Sequence, residues 1–217
     1  MDPRQQRSRA RLHAAVLALA ADRPVGELTA TAVAAQAGVH RSTFYEHASS
    51  PVDLLQAALL AELDLLRARL RDDLADAGPA PVATDVVARV VGEVTEGVLE
   101  HVARHAALYR RGLGPTGGAA SLHGLLSAHF QESSRLLQRL VGAGVDVSVP
   151  EVADPVVADV ATRFIADGTV GAIEGWLREP SLDARRFLEV YRRLLPPWWP
   201  LTVSTPDVDG PEAAAED

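Results

Sequence analysis

An all-α protein is what this sequence predicts, on three observations. Apolar residues recur at intervals of three and four through most of the chain, the spacing that lines one face of a helix. No segment alternates apolar and polar residues convincingly enough to read as a strand. Turn formers gather between the periodic stretches, in "GPAP", "GPTGG" and "GAGVDVSVPEV". With 217 residues, 47% of them apolar, the chain can bury a sizeable core as one large or two small domains.

The first helix is read from Arg7, where Leu12, Val16, Leu19 and Ala20 recur at helical spacing, and it stops before "DRPVG", because Pro24 and Gly26 break the pattern. Thr29 stands where it caps a second, short helix, "ATAVAAQA", with Val33 and Ala37 on one face. Gly38 follows where a left-handed residue ends a helix. His40 or Ser42 opens a third helix that runs to about His47. Further helices are expected over Val52 to Ala77, Asp85 to Arg104, Ala106 to Leu113, Ala119 to Gly142, Pro155 to Arg178 and Leu182 to Leu195. Asp154 and Pro155 make an N-cap and first-turn pair. After Leu195 the chain carries too much proline and acid to continue a helix. The expected division is a head over residues 1–50, a larger helical domain over 51–197 and a flexible tail over 198–217.

Composition removes several classes of function. There is no cysteine, so disulfides, thiolate metal sites and a cysteine nucleophile are excluded. No apolar run approaches the roughly 20 residues that span a bilayer, and the N-terminus lacks the features of a signal peptide. A cytoplasmic protein without a membrane partner is expected. All basic residues are Arg, which together with the Ala, Val and Leu content looks like codon usage and carries no functional weight. The net charge of -8 is unevenly spread: residues 1–50 hold six Arg against four acids, and residues 51–217 hold 15 Arg against 25 acids. Arg4, Arg7, Arg9 and Arg11 fall close together, which suits both a phosphate-contacting arm and a solvated helix start.

The third helix is short and mostly polar. Val39 and Phe44 serve to fix it to its scaffold, leaving Arg41, Ser42, Thr43, Tyr45 and His47 spread over the other faces. Two helices joined through a glycine turn, the second short and polar, match the helix-turn-helix geometry that enters a DNA major groove. Arg41 then suits a guanine edge, Ser42 and Thr43 suit bases or a thymine methyl, and Tyr45 and His47 suit phosphates. The glycine turn by itself fits an ordinary helix corner about equally well.

The stretch "LTATAVAAQAGVHRSTFYEHASSPVDLL" closely resembles the N-terminal DNA-binding segment of the TetR family of transcriptional regulators, over about 45 residues from Arg9 to Leu55. The agreement lies in the Thr-initiated helix, the Ala-Gly-Val turn, the polar triplet, the Phe-Tyr pair and the His two places on. Carried onto this chain, the resemblance implies that Thr29 contacts the DNA backbone, Arg41, Ser42 and Thr43 the base edges, and Tyr45 and His47 the phosphates. Two positions depart from the pattern. Ala48 stands where the family usually has Phe, and Pro51 where it usually has the Lys that opens the fourth helix and holds a phosphate.

The resemblance further implies a C-terminal helical domain for ligand binding and dimerisation, and hence a repressor-type homodimer on a palindromic double-stranded operator, released by a small-molecule effector. Inward positions on the middle helices, Val98, His101, Leu108, Tyr109, Leu126, Phe130 and Phe164, are the expected pocket, suited to a largely hydrophobic effector with one or two hydrogen-bonding groups. Gly168, Gly171, Ala172 and Gly175 place small residues at intervals of three and four in one helix, which calls for close approach of another helix. That helix is either a partner's or one of the same chain. A dimer seam is the reading taken, with Phe187 and Tyr191 on its other side.

His101 and His105 lie four apart, a spacing that lets two imidazoles share a metal, but no third ligand is recognisable in the sequence. No metal and no cofactor are expected, and pocket-lining or surface roles are assigned to both. No catalytic triad, phosphate loop or glycine fingerprint stands out, so an enzyme is not expected. The competing readings are a helical coactivator or protein-interaction module, which Pro51 favours, and an all-helical enzyme with a His-based site.

Overall fold

The structure, a computed structural model, describes residues 2–77, 83–113, 122–141, 155–196 and residue 199. Every regular element among them is helical. Residues 78–82, 114–121 and 142–154, which include the three turn-rich loops and the expected Asp154 cap, lie outside the described residues, as does the expected tail apart from residue 199.

Helix α1 (Pro3–Asp22) begins about a turn earlier than the apolar spacing indicates, because Asp2 accepts from the Arg4 amide at 2.9 Å and Pro3 occupies the first turn. A 3₁₀ turn, Val25–Glu27, leads to α2 (Ala30–Ala37), whose N-terminus is capped by Thr29 as expected. Helix α3 (Arg41–His47) follows, and then α4 (Pro51–Asp76), where the Ser50 hydroxyl accepts from the Asp53 amide at 3.1 Å and Pro51 supplies the fixed φ of a first helical residue. The larger domain adds α5 (Thr84–Arg104), α6 (Ala106–Leu113), α7 (Leu122–Val141), α8 (Pro155–Trp176) and α9 (Ala184–Arg192). Asp183 sets the start of α9 by accepting from the Arg186 amide, so that helix is shorter at both ends than its sequence pattern.

Helix α1 packs on α2 and α4, and α3 packs on α2 and α1. Helix α4 runs on from this head and packs on α5 and α7; α7 in turn packs on α8, and α5 on α9. One apolar core runs through both parts, from Leu12, Val33 and Phe44 through Leu59 and Leu63 of α4 to Leu99, Leu126 and Ile173. A second bridge joins the parts through α6. Its Arg111 guanidinium donates to the carbonyls of Ala20 and Ala21 at the end of α1, groups that the helix leaves without partners of their own.

Candidate functional site

The turn before α3 requires its glycine. Gly38 adopts φ 61°, its amide donates to the Ala35 carbonyl at 3.1 Å, and the Val39 amide donates to the Ala34 carbonyl at 3.0 Å. A Cβ there would also stand 2.8 Å from Arg11 Nη2. Phe44 is fully buried and pins α3, which turns Arg41, Ser42 and Tyr45 to solvent. The Arg41 guanidinium donates to the Tyr45 hydroxyl at 3.1 Å and lies 5.4 Å from the ring centroid, so the two side chains form one exposed unit.

Thr43 is half-buried and lines a cleft of about 650 Å³ between α3 and the start of α1, together with Arg4, Arg7 and Arg11. Positions 4, 7 and 11 share a helical face, so three guanidinium groups flank α3, while Arg9 does not line the cleft. Thr29 is exposed and its Oγ1 accepts from the Ala32 amide at 3.1 Å, which leaves the hydroxyl hydrogen free to donate. His47 departs from the expectation of a freely presented phosphate donor. Its ring is half-buried, and Nε2 is buried with no hydrogen-bond partner among the described residues. A site four residues after Thr43 turns it toward the same cleft.

In the larger domain the expected pocket residues separate. A cavity of about 60 Å³ lies among α4, α5, α7, α8 and α9, and of the expected set only Val98 and Phe130 line it. His101, Leu108, Tyr109 and Leu126 are buried, but elsewhere. Phe164 does not point inward at all; it is 70% exposed, because α8 packs through the opposite face that carries Ile165, Thr169 and Ile173. His129 and Tyr191, absent from the expected pocket, line the cavity instead. The sequence signal for His129 was its place three residues after Leu126 on the apolar face of α7. Its Nδ1 is buried without a hydrogen-bond partner among the described residues, and burial, followed by the charge of Arg67, holds its pKa down to about 4. The Tyr191 hydroxyl pairs with Thr169, and burial pushes the phenol up to about 12.

Tyr191 is buried, and the half-buried Phe187 stacks on it at 5.9 Å within the chain. Gly168, Gly171 and Gly175 are exposed, and a methyl group added at any of them would meet no atom of the described residues within 4 Å. Ala172 is half-buried.

No protein-family profile and no curated protein matches the sequence. Among solved structures, SmeT, the repressor of the Stenotrophomonas maltophilia multidrug efflux pump SmeDEF, is similar with a TM-score of 0.51 and 19% identity, over 82% of this chain and 83% of its own. The chain has a TetR-type fold. A candidate transcriptional regulator from Streptomyces coelicolor A3(2) is also similar, at 20% identity and a TM-score of 0.49, over 86% of this chain and 97% of that one. Pro51, which departs from the pattern of the resemblance, is the first residue of α4. Ala48 is half-buried and packs on the core with only a methyl group.

Proposed function

We propose that this protein is a DNA-binding transcriptional regulator of repressor type, a homodimer that binds a palindromic operator and is released by a small-molecule effector. The observation that carries the reading is the exposed face of α3: Arg41, Ser42 and Tyr45 stand in water on a helix anchored by a buried Phe44, beside the guanidinium groups of Arg4, Arg7 and Arg11. Arg41 reads a guanine edge, Ser42 and Thr43 reach bases, Thr29 and Tyr45 bond phosphates, and the Arg cluster neutralises the flanking backbone.

Dimerisation is supported by α8. Val157, Val160, Phe164, Gly168, Gly171 and Gly175 form an exposed stripe spaced by threes and fours, and Val190 and Leu194 are exposed as well. A partner's α8 covers this stripe and sets two recognition helices about 34–36 Å apart, one turn of DNA. Gly171→Leu is expected to give a monomer in analytical ultracentrifugation, with its head still folded and operator binding lost.

An effector acts only by binding one arrangement better than the other, and moving a population from 99:1 to 1:99 takes about 5.5 kcal/mol of differential affinity. The 60 Å³ cavity is far below the roughly 300–1,000 Å³ of a small-molecule pocket. Entry of a largely hydrophobic effector therefore parts the helices around His129, and α4, which lines the cavity through Leu70, is displaced along with the head that it carries. A mobility-shift titration on the DNA flanking the protein's own gene tests the reading. The expected result is a shift that weakens steeply with salt, and Arg41→Ala that costs roughly 1–3 kcal/mol at one or two base positions. Equal affinity for flanking and random DNA would overturn it.

A further inference from the structure

The sequence left His101 and His105 without a third partner, and the fold supplies one. Glu62 of α4 brings Oε2 to 3.0 Å from His101 Nδ1 and 3.0 Å from His105 Nε2, across 39 and 43 residues of chain. We propose that Glu62, His101 and His105 bind a divalent transition-metal ion of the zinc class, which ties α4 to α5.

The geometry is close to that of a loaded site. One ligand atom from each residue lies within 4.8 Å of the other two. Zinc bonds of about 2.0–2.1 Å in a tetrahedral arrangement separate neighbouring ligand atoms by about 3.3–3.4 Å. The two oxygen-to-nitrogen separations therefore need to open by only a few tenths of an ångström. The rings are already held together, since positions four apart on a helix share a face and their centroids lie 4.9 Å apart.

The donor set selects the ion. Two imidazoles and one carboxylate suit zinc and its first-row neighbours, whereas calcium and magnesium favour oxygen throughout. Three protein ligands leave a fourth position for water or a small anion. An orienting partner is in place as well. His101 Nε2 lies 2.8 Å from the Tyr109 hydroxyl, so with Nδ1 on the metal the Nε2–H donates to that oxygen and fixes the ring. Access comes from one side: His101 is buried, while Glu62 keeps about a third of its side chain in solvent. The competing cation at Glu62 is Arg104, 3.5 Å away, whose side chain is 65% exposed and free to swing into water.

The test uses the full-length, chelator-stripped protein. Cobalt(II) should give the visible bands of a four-coordinate site, and zinc competition against a chromophoric chelator should give one ion per chain. Glu62→Gln and His105→Ala should each weaken zinc by at least tenfold, and Tyr109→Phe by roughly 10–100-fold through the lost orienting bond. His40→Ala, in the exposed turn before α3, should leave the affinity unchanged. Zinc should also raise the thermal midpoint of the parent protein and not that of Glu62→Gln. The absence of saturable binding at one ion per chain, or an unchanged affinity in a Glu62→Gln variant that keeps the parent far-ultraviolet circular dichroism, overturns the proposal. The readout is metal alone and does not depend on any DNA activity.

Discussion

In the first 50 residues the core is built from apolar side chains such as Leu12, Val16, Val33 and Phe44, whereas the six buried polar residues of the described chain, His101, Ser127, His129, Ser134, Thr162 and Thr169, all lie in the larger domain. The two regions also differ in how their helices are held. The head starts its helices with local devices, Asp2, Thr29 and Ser50 each accepting from an amide two or three residues on, and closes α2 with Gly38, while the end of α1 is held by Arg111 of α6. The larger domain has a local cap at Asp183 and adds bonds that cross the fold, such as Arg110 to the Leu177 carbonyl at 2.7 Å, Arg185 to Glu96 at 2.8 Å and Ser127 to Asp167 at 2.5 Å. A head made this way is a rigid platform that presents a surface. The larger domain instead satisfies most of its buried polar groups through specific side-chain bonds, such as Thr169 to Tyr191 and His101 to Tyr109.

The largest test of that contrast is Phe44→Ala. Removing a fully buried ring from an otherwise apolar head should cost about 3–5 kcal/mol, read as a lower denaturant midpoint together with loss of α3 presentation. A loss below about 1 kcal/mol would mean that the head is held by something other than its apolar core.

Acid should strike the larger domain hardest. Burial, then the charge of His105, lowers His101 to about 4, and His129 is held to a similar value. Between about pH 6.5 and pH 4 the unfolded chain takes up a proton at each ring that the folded chain refuses. Metal-free stability should therefore fall as pH falls through that window, by up to about 3 kcal/mol per ring at roughly 1.36 kcal/mol per pKa unit. His129→Phe should flatten part of the slope in thermal melts across that range. A slope unchanged by that substitution would remove His129 from the response.

The smallest effect belongs to a local device. Thr29→Ala should destabilise the head by about 1 kcal/mol, through loss of the bond to the Ala32 amide. If Thr29 also donates to a phosphate, Thr29→Ser should restore both stability and DNA affinity, which separates the cap from the contact.

The sequence by itself determined the head and most helix positions. Thr29, Gly38, His40 and Phe44 report on neighbours within about one helical turn, and such short-range signals are written next to one another in the chain. It also singled out the stripe of Gly168, Gly171 and Gly175, read as a dimer seam, which the fold leaves exposed. Only the tertiary structure decided what the long-range partners are: that Glu62 meets His101 and His105, that Arg111 reaches the end of α1, that Phe164 faces outward and that His129 and Tyr191 line the cavity. Glu62 stands three residues after Leu59 on an inward face, a charge in an apolar position, yet spacing cannot name its partner. Helical periodicity tells which face of a helix is buried; which other face it meets depends on the packing of all the helices at once.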